Sequence, residues 1–381
     1  MIPQRMYTVL IEGPDARFLG VSTRARNGRV VQRSGATLCR ASDLAAYGPH
    51  AAMLVPSDVA LMPSLFSNDT FDQATRRVEP TRLEAAGASV IVGAASALAT
   101  LLREPDRLTT LSCRGVGADT ILPIGSPGAR RLATRAVLAS TGKPTDGWVS
   151  RHVNRPISRV CSRVALMFGL SANGASLIAL GGGLVCAWTA AQPGYGAFVA
   201  TGILFQLASI LDGVDGEIAR ATLTESERGA QIDTVVDHIT NGACFIGSTI
   251  GWIRSGGRTT AMISTLLIGF ALAASLVRGA RFVSRHGGSG SVVAIDRSVG
   301  RAARDTGQWP PRVAAGAFAF LRRDLFAAVF LLVSFTGIRA AVPALILFGT
   351  VVANVTFSVY GQELAAATRA ERKRPSAAAA T

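Results

Sequence analysis

The 381-residue chain is 49% hydrophobic and only 17% charged, with mean hydropathy +0.35 and a formal net charge of +15 carried far more by arginine than by lysine. That balance argues against nucleic acid as the partner, since aromatic residues are only 6% and the basic residues flank apolar stretches, where they suit anionic headgroups and the orientation of spans. Five scattered cysteines (Cys39, Cys113, Cys161, Cys186, Cys244) form neither a CxxC pair nor a zinc spacing, and read as reduced packing residues.

Residues 1–142 read as a soluble α/β domain. Tyr7–Ile11 and Ala52–Val55 have the character of buried strands, with Val90–Val92 a third. Pro80–Ala86, Ala95–Arg103 and Gly125–Ser140 read as helices, the last with Arg130 and Arg131 exposed. About 140 residues suffice for one independent core. Met1–Gly20 lacks the continuous apolar run of a signal peptide.

From Trp148 to Phe168, Arg151, Arg155, Arg159 and Arg163 recur every four residues, with Val149, Val153, Ile157, Val160 and Val164 on the other side. The pattern predicts an amphipathic helix in the headgroup layer, against the plainer reading of a solvated helix face. Pro156 either kinks it or starts a second helix. About six apolar stretches surround and follow the acidic motif described next: Ala175–Ala190, Ala197–Leu211, Ile232–Ile253, Thr260–Val277, Leu325–Gly337 and Ala341–Tyr360. Several are shorter than the ~20 residues a span needs, so polar helix ends must supply turns. Arg278–Arg323 and the tail with Arg369, Arg372, Lys373 and Arg374 are strongly basic, while the opposite loops carry only Arg254, Arg258 and Arg339. The positive-inside rule then puts both termini and the acidic motif on the cytoplasmic side of a multi-pass protein. Residues 362–381 read as a disordered tail.

The motif is Asp212-x2-Asp215-Gly216-x2-Ala219-Arg220-x8-Gly229-x3-Asp233-x3-Asp237. Charges at the edge of apolar spans are costly and functional by default. Asp212 and Asp215 are i,i+3, and Asp233 and Asp237 are i,i+4, so each pair shares one face of its own helix. Two such helices face to face would aim four carboxylates at one point, which hard divalent cations with oxygen ligands would reconcile. Gly216, Ala219 and Gly229 are small enough for close backbone approach, and Arg220 adds a permanent positive charge. The bland alternative is a solvated acidic turn, which needs neither the paired spacing nor the glycines.

This pattern resembles the signature of the CDP-alcohol phosphotransferases (CDP-alcohol phosphatidyltransferases), with every motif position present, over a region from about Lys143 to Tyr360. The resemblance implies an all-α polytopic membrane domain, 143–361, of about six transmembrane helices plus a juxtamembrane amphipathic helix, preceded by the soluble α/β domain. It implies a CDP-alcohol donor (CDP-diacylglycerol or CDP-inositol), an alcohol or phospho-alcohol acceptor, release of CMP, contact with membrane lipids and a homodimer in a bacterial inner membrane. Asp212, Asp215, Asp233 and Asp237 would hold two Mg²⁺ ions, with Mn²⁺ as a substitute, and Asp237 would be the base. Gly216, Ala219 and Gly229 would leave room for the cytidine, and Arg220 would steady a carboxylate or phosphate. Where the family often has Pro-Asn, this chain has Ala172-Asn173; Asn173 either faces the nucleotide or caps a helix. Arg278, Arg281 and Arg323 are candidates for an acceptor phosphate or for headgroup anchoring. His238 lies about 100° around a helix from Asp237 and reads as packing or interfacial, not as a ligand.

The linker from Lys143 to Ser158 is similar to the junction in bifunctional enzymes that join an inositol-1-phosphate cytidylyltransferase domain to a CDP-alcohol phosphotransferase domain, and Leu54–Asp58 and Ala129–Leu132 resemble pieces of a nucleotidyltransferase fold. Where that fold needs a Gly-rich phosphate loop, the chain reads Ile11-Glu-Gly-Pro-Asp-Ala-Arg-Phe-Leu-Gly20, and Pro14 removes an N–H. A degenerate, structural or regulatory domain is therefore expected. The alternatives to a membrane phosphotransferase are a bifunctional enzyme with an active cytidylyltransferase domain and a non-catalytic lipid-binding protein. The intact set of motif aspartates counts against the non-catalytic reading, the lack of a nucleotide-binding loop near residues 11–30 counts against the bifunctional one, and a transporter would carry its polar groups at mid-membrane.

Overall fold

The computed structural model describes residues 7–10, 17–143, 146–270, 323–348 and 351. Its first part contains β1 (Tyr7–Leu10), β2 (Arg17–Phe18), β3 (Val21–Ser22), α1 (Thr23–Arg33), β4 (Thr37–Cys39), β5 (Ala51–Val55), β6 (Val59–Leu61), α2 (Asp69–Thr75), β7 (Thr81–Ala85), β8 (Ala88–Ala94), α3 (Ala95–Arg103), β9 (Ser112–Gly115), β10 (Ile121–Pro123) and α4 (Pro127–Ser140). Six strands form one mixed sheet in the order β4-β1-β5-β8-β7-β9. β1 runs parallel to both β4 and β5, and β5 meets β8 antiparallel. Both faces of β5 are covered, which is why its sequence is apolar without alternation. Met53 and Val55 pack with Val30 and Val31 of α1 and Phe71 of α2, while Ala52 and Leu54 pack with Leu98 and Leu101 of α3.

The helix expected at Pro80–Ala86 is instead β7. Thr81, Leu83 and Ala85 are buried and Arg82 and Glu84 lie at the surface, a two-residue period that outweighs the helix propensity of Leu, Glu and Ala. Ala86 and Gly87 both adopt positive φ (50° and 83°), the two-residue turn that closes a hairpin with Ala85 opposite Ala88. The other strands and helices expected in this part are present.

The second part contains α5 (Arg155–Met167), α6 (Ala172–Ala190), α7 (Tyr195–Thr222), α8 (Glu227–Arg254) and α9 (Arg323–Ser334). Residues 258–270 and 341–348 are also helical. Among the described residues, α6 and α7 are long and apolar enough to cross a membrane. α8 matches α7 at 28 residues but carries Glu227, Arg228, Asp233, Asp237 and Arg254. Among the described residues two helices meet this criterion where about six spans were expected, and the expected stretches Thr260–Val277 and Ala341–Tyr360 lie partly outside those residues. Arg278, Arg281 and the basic tail lie outside the described residues.

Pro156 opens α5, which continues directly from a π-helical turn over Ser150–Asn154. On α5 and that turn, Val153, Ile157, Val160 and Val164 point outward, whereas Arg155 is buried. The apolar stripe is thus the outer one, the reverse of a solvated helix face. Close helix crossings rest on glycine: a methyl on Gly183 would strike Thr240, and one on Gly247 would strike the Ala187 carbonyl, so α6 and α8 pack backbone to backbone.

The two parts share a core in which Phe18 and Leu19, Val137 of α4, Leu166 of α5 and Ile218 of α7 meet. Leu223 ends α7 in the left-handed conformation and packs among the first part's core residues. A helix leaves its last carbonyls without partners. Here α1 supplies them: Arg26 Nε donates to Ala221 O (3.0 Å) and Arg29 Nη1 to Thr222 O (2.7 Å), while Arg33 pairs with Glu225 (2.5 Å). Arg26 also donates to Leu61 O (2.7 Å) and lies 5.5 Å from the Phe18 ring centroid. Burial pushes its pKa down to about 10, so it remains charged at neutral pH.

Candidate active site

Asp212 and Asp215 lie in the C-terminal half of α7, and Asp233 and Asp237 in the N-terminal half of α8. The tight link between the helices, with Ser226 accepting from Gly229 N (3.0 Å) as the α8 N-cap, folds the two halves against each other. Carboxylate oxygens of Asp212, Asp233 and Asp237 all lie within 4.8 Å of one another. Arg323, at the start of α9, donates from Nη1 to Asp212 Oδ1 (2.8 Å) and also to Asp237 Oδ1. One guanidinium nitrogen therefore lies between two of the three carboxylates. The donor set is all oxygen, anionic and partly exposed, and it already brackets a cation. Those properties fit a hard divalent ion.

Asp215 stands apart from this trio. Its Oδ2 accepts from Ser176 Oγ of α6 and its Oδ1 from Gly216 N, both at 2.5 Å, and it is 8% exposed. Lys143 is within electrostatic reach of both Asp215 and Asp233. Asn173 is exposed in the first turn of α6, three residues before Ser176 on the same face. It is not the helix cap: Ser171 Oγ accepts from Gly174 N (3.2 Å).

The small residues divide by role. A Cβ on Gly216 would lie 3.0 Å from Arg220 Nη1, so the space Gly216 leaves is filled by that guanidinium. Arg220 Nε in turn donates to Thr141 O (2.8 Å) at the end of α4. Around Gly229 only Ser226 Oγ is near (3.1 Å), and the helix face there is open. Ala219 is half-buried. His238 is exposed and bonds the Thr234 carbonyl (2.6 Å).

Sequence reasoning missed a second polar constellation behind the motif. Glu217 is fully buried. Its Oε1 accepts from Arg155 Nη1 (2.8 Å) and Ser158 Oγ (2.7 Å), and its Oε2 accepts from Ser162 Oγ (2.6 Å). Arg155 also makes a forked pair with Asp146, at 2.8 and 3.0 Å. Burial works against the charge on Asp146, but hydrogen bonds from Arg155 and the Lys143 N–H outweigh it and hold the carboxyl below its usual range. A Cβ on Gly213 would lie 3.0 Å from Arg155 Nη1, so Gly213 admits this guanidinium as Gly216 admits Arg220. The available signal was a glutamate between motif positions facing Arg155, Ser158 and Ser162, which share one face of α5.

Residues 169–352 match the family model described as CDP-alcohol phosphatidyltransferase. The chain therefore carries a CDP-alcohol phosphatidyltransferase domain. It is also similar to curated proteins named bifunctional IPC transferase and DIPP synthase. That of Rubrobacter xylanophilus is 35% identical over 176 residues, 44% of this chain and 38% of the relative. That of Thermococcus kodakarensis is 38% identical over 115 residues (30% of this chain, 25% of the relative), and that of Archaeoglobus fulgidus 35% over 137 residues (36% and 27%). The matched segments thus span between a quarter and two fifths of those relatives' own lengths.

Proposed function

We propose that the protein is an integral membrane CDP-alcohol phosphotransferase: it moves a substituted phosphoryl group from a CDP-alcohol to an acceptor hydroxyl and releases CMP. The observation that carries this reading is the convergence of Asp212, Asp233 and Asp237 from two helices onto one cation-sized position. Asp212, Asp215, Asp233 and Asp237 would hold two divalent ions, Mg²⁺ or in its place Mn²⁺. When bound, such ions neutralise the diphosphate and stabilise the leaving nucleotide.

The chain's own residues supply the rest. Asp237 accepts the proton of the acceptor hydroxyl at its carboxylate, which requires that Arg323 yield its place beside it. Arg323, freed from Asp212 and Asp237, is placed to meet an acceptor phosphate. Ser176 holds Asp215 in a fixed rotamer. Gly229 and Ala219 leave the helix face open to the cytidine, with Asn173 offering a polar side chain from α6. Arg220, seated over Gly216, neutralises the acidic helix from behind.

The membrane reading is supported by the lengths of α6 and α7 and by outward-facing Leu177, Ile178, Leu184, Val185 and Trp188 on α6. We take residues 1–142 as a structural or regulatory α/β domain, 143–361 as a multi-pass membrane domain with α5 in the headgroup layer, and 362–381 as a tail. Both termini and the site face the cytoplasm of a bacterial inner membrane, and the protein is a homodimer.

The test is CMP release by the purified protein in detergent with Mg²⁺, offering CDP-diacylglycerol and CDP-inositol in turn with a panel of alcohols and phospho-alcohols. Release with one donor–acceptor pair, abolished in Asp237→Asn, establishes the reaction. No release with any pair, from a folded protein that binds CDP, would turn the reading toward a non-catalytic lipid-binding role.

A further inference from the structure

Arg17 of β2, Arg130 and Arg131 of α4, and Arg163 of α5 line one open cavity of 410 Å³. It lies at the seam between the α/β part and α5, and it shares no residue with the aspartate cluster. Gly20 closes the seam beside it. Its φ is +71°, and a Cβ there would come within 2.7 Å of the Leu166 carbonyl, so the turn between β2 and β3 is pressed against the end of α5.

Four guanidinium groups around one cavity repel one another unless an anion joins them. Two other arginines in the molecule are neutralised by carboxylates: Arg155 by Asp146 and Glu217, Arg323 by Asp212 and Asp237. Here, among the described residues, Arg17, Arg130, Arg131 and Arg163 have no carboxylate partner. Arg130 is set in place by donating Nε to Ile124 O (3.2 Å), which leaves its outer nitrogens for another acceptor. Pro127, at the first turn of α4, also lines the cavity, and that turn carries no acidic residue. A helix start adds positive potential where an anion would sit. The rim is apolar: Met167 is 76% and Phe168 86% exposed. They continue the outward stripe of Ile157, Val160 and Val164 along α5.

We propose that this cavity is a binding site for a phosphate-bearing anion, separate from the reaction centre. Forked arginine pairs recognise phosphate oxygens, and Met167 and Phe168 offer a surface for hydrocarbon beside them. The same chemistry accepts the headgroup of an anionic phospholipid or a water-soluble phosphomonoester, and the experiment separates them.

The full-length protein is compared with Arg131→Gln, Arg163→Gln and their double variant. Arg151→Gln is the control, because Arg151 is an exposed arginine outside the cavity. Native mass spectrometry reads retention of phosphatidylglycerol against phosphatidylcholine from an equimolar mixed micelle. Inorganic phosphate is titrated separately while thermal unfolding is followed. Each neutralised arginine is expected to weaken retention about fivefold, the equivalent of about 1 kcal/mol. Selective retention of phosphatidylglycerol that falls in the two single variants and further in the double one, but not in Arg151→Gln, supports the site with a lipid occupant. A phosphate-dependent rise in Tm lost in the same variants, without lipid selectivity, supports the site with a soluble occupant. If the folded single variants bind both probes as the wild type does, or if Arg151→Gln loses as much as they do, the proposal is overturned.

Discussion

Replacing Glu217 tests how the motif helix is held. The carboxylate is fully buried and accepts three hydrogen bonds, at 2.8, 2.7 and 2.6 Å, from Arg155, Ser158 and Ser162. Hydrogen bonds to a charged group contribute about 1.5–3 kcal/mol each, and the cost of desolvating the ion pair cancels much of that sum. What survives cancellation is the penalty of breaking the set from one side. Glu217→Ala leaves Arg155 with half its partners and two buried hydroxyls without acceptors, and should cost about 3–5 kcal/mol. Glu217→Gln keeps one oxygen for Arg155 and Ser158 and an amide that can donate to Ser162. It loses only the charge, and should cost about half as much. The assay is thermal unfolding of the purified protein in one detergent, followed by intrinsic fluorescence, with Arg155→Met and the double variant Arg155→Met/Glu217→Ala completing a cycle. The double variant should be less destabilised than the sum of the two single ones, because Arg155 and Glu217 are then removed together and neither is left buried without the other; the loss of the Asp146 pair is common to both Arg155→Met backgrounds. Additive losses, or a Glu217→Ala variant within about 1 kcal/mol of wild type, would refute this account of the pair.

Other outcomes follow from the same geometry. Millimolar Mg²⁺ should raise the wild-type Tm, by the equivalent of about 2.7 kcal/mol at a hundredfold excess over Kd, and Asp212→Asn/Asp237→Asn should abolish the rise along with CMP release. Arg323→Gln leaves the three carboxylates without their internal cation, so it should lower Tm in chelator and gain more than wild type when the metal is added back. Gly247→Val would drive a branched side chain into the Ala187 carbonyl and force α6 and α8 apart, at a cost above the ~1–3 kcal/mol of ordinary overpacking, seen as loss of monodisperse protein on size-exclusion chromatography. Asp146 is held below its usual range, so its contribution is complete above the ordinary carboxylate pKa of about 3.9 and is lost as pH falls. The Tm difference between wild type and Asp146→Asn should therefore be constant near pH 6 and shrink below about pH 4.

The parts of this molecule written in short-range pattern were legible in the sequence. The i,i+3 and i,i+4 aspartates announced two facing helices, and β5 and α3 followed from apolar runs of the right length. The first strand of the hairpin, β7, was misread because Leu83, Glu84 and Ala85 favour a helix locally, and only their alternating burial, a property of the finished sheet, makes them a strand. Glu217 was passed over because a motif defines what is fixed and hides what sits between. Its importance comes from α5, more than fifty residues earlier, arriving with Arg155, Ser158 and Ser162 on one face. Arg323 stood in the sequence as a candidate for an acceptor phosphate or a headgroup; its place between Asp212 and Asp237 depends on how α9 docks, which no local spacing encodes.

The helix bearing Asp212 and Asp215 is gripped at both extremities by arginines from outside it. At its start, Arg339 donates to the carbonyls of Gln192 (3.1 Å) and Gly194 (2.7 Å), and at its end Arg26 and Arg29 close the last turn from the α/β part. These contacts of the α/β part involve α1 and the last turn of α7 and make no use of a nucleotide. A chain trimmed to its second part alone would lose these contacts, leaving the carbonyls at the end of the helix that bears Asp212 and Asp215 without their arginine partners.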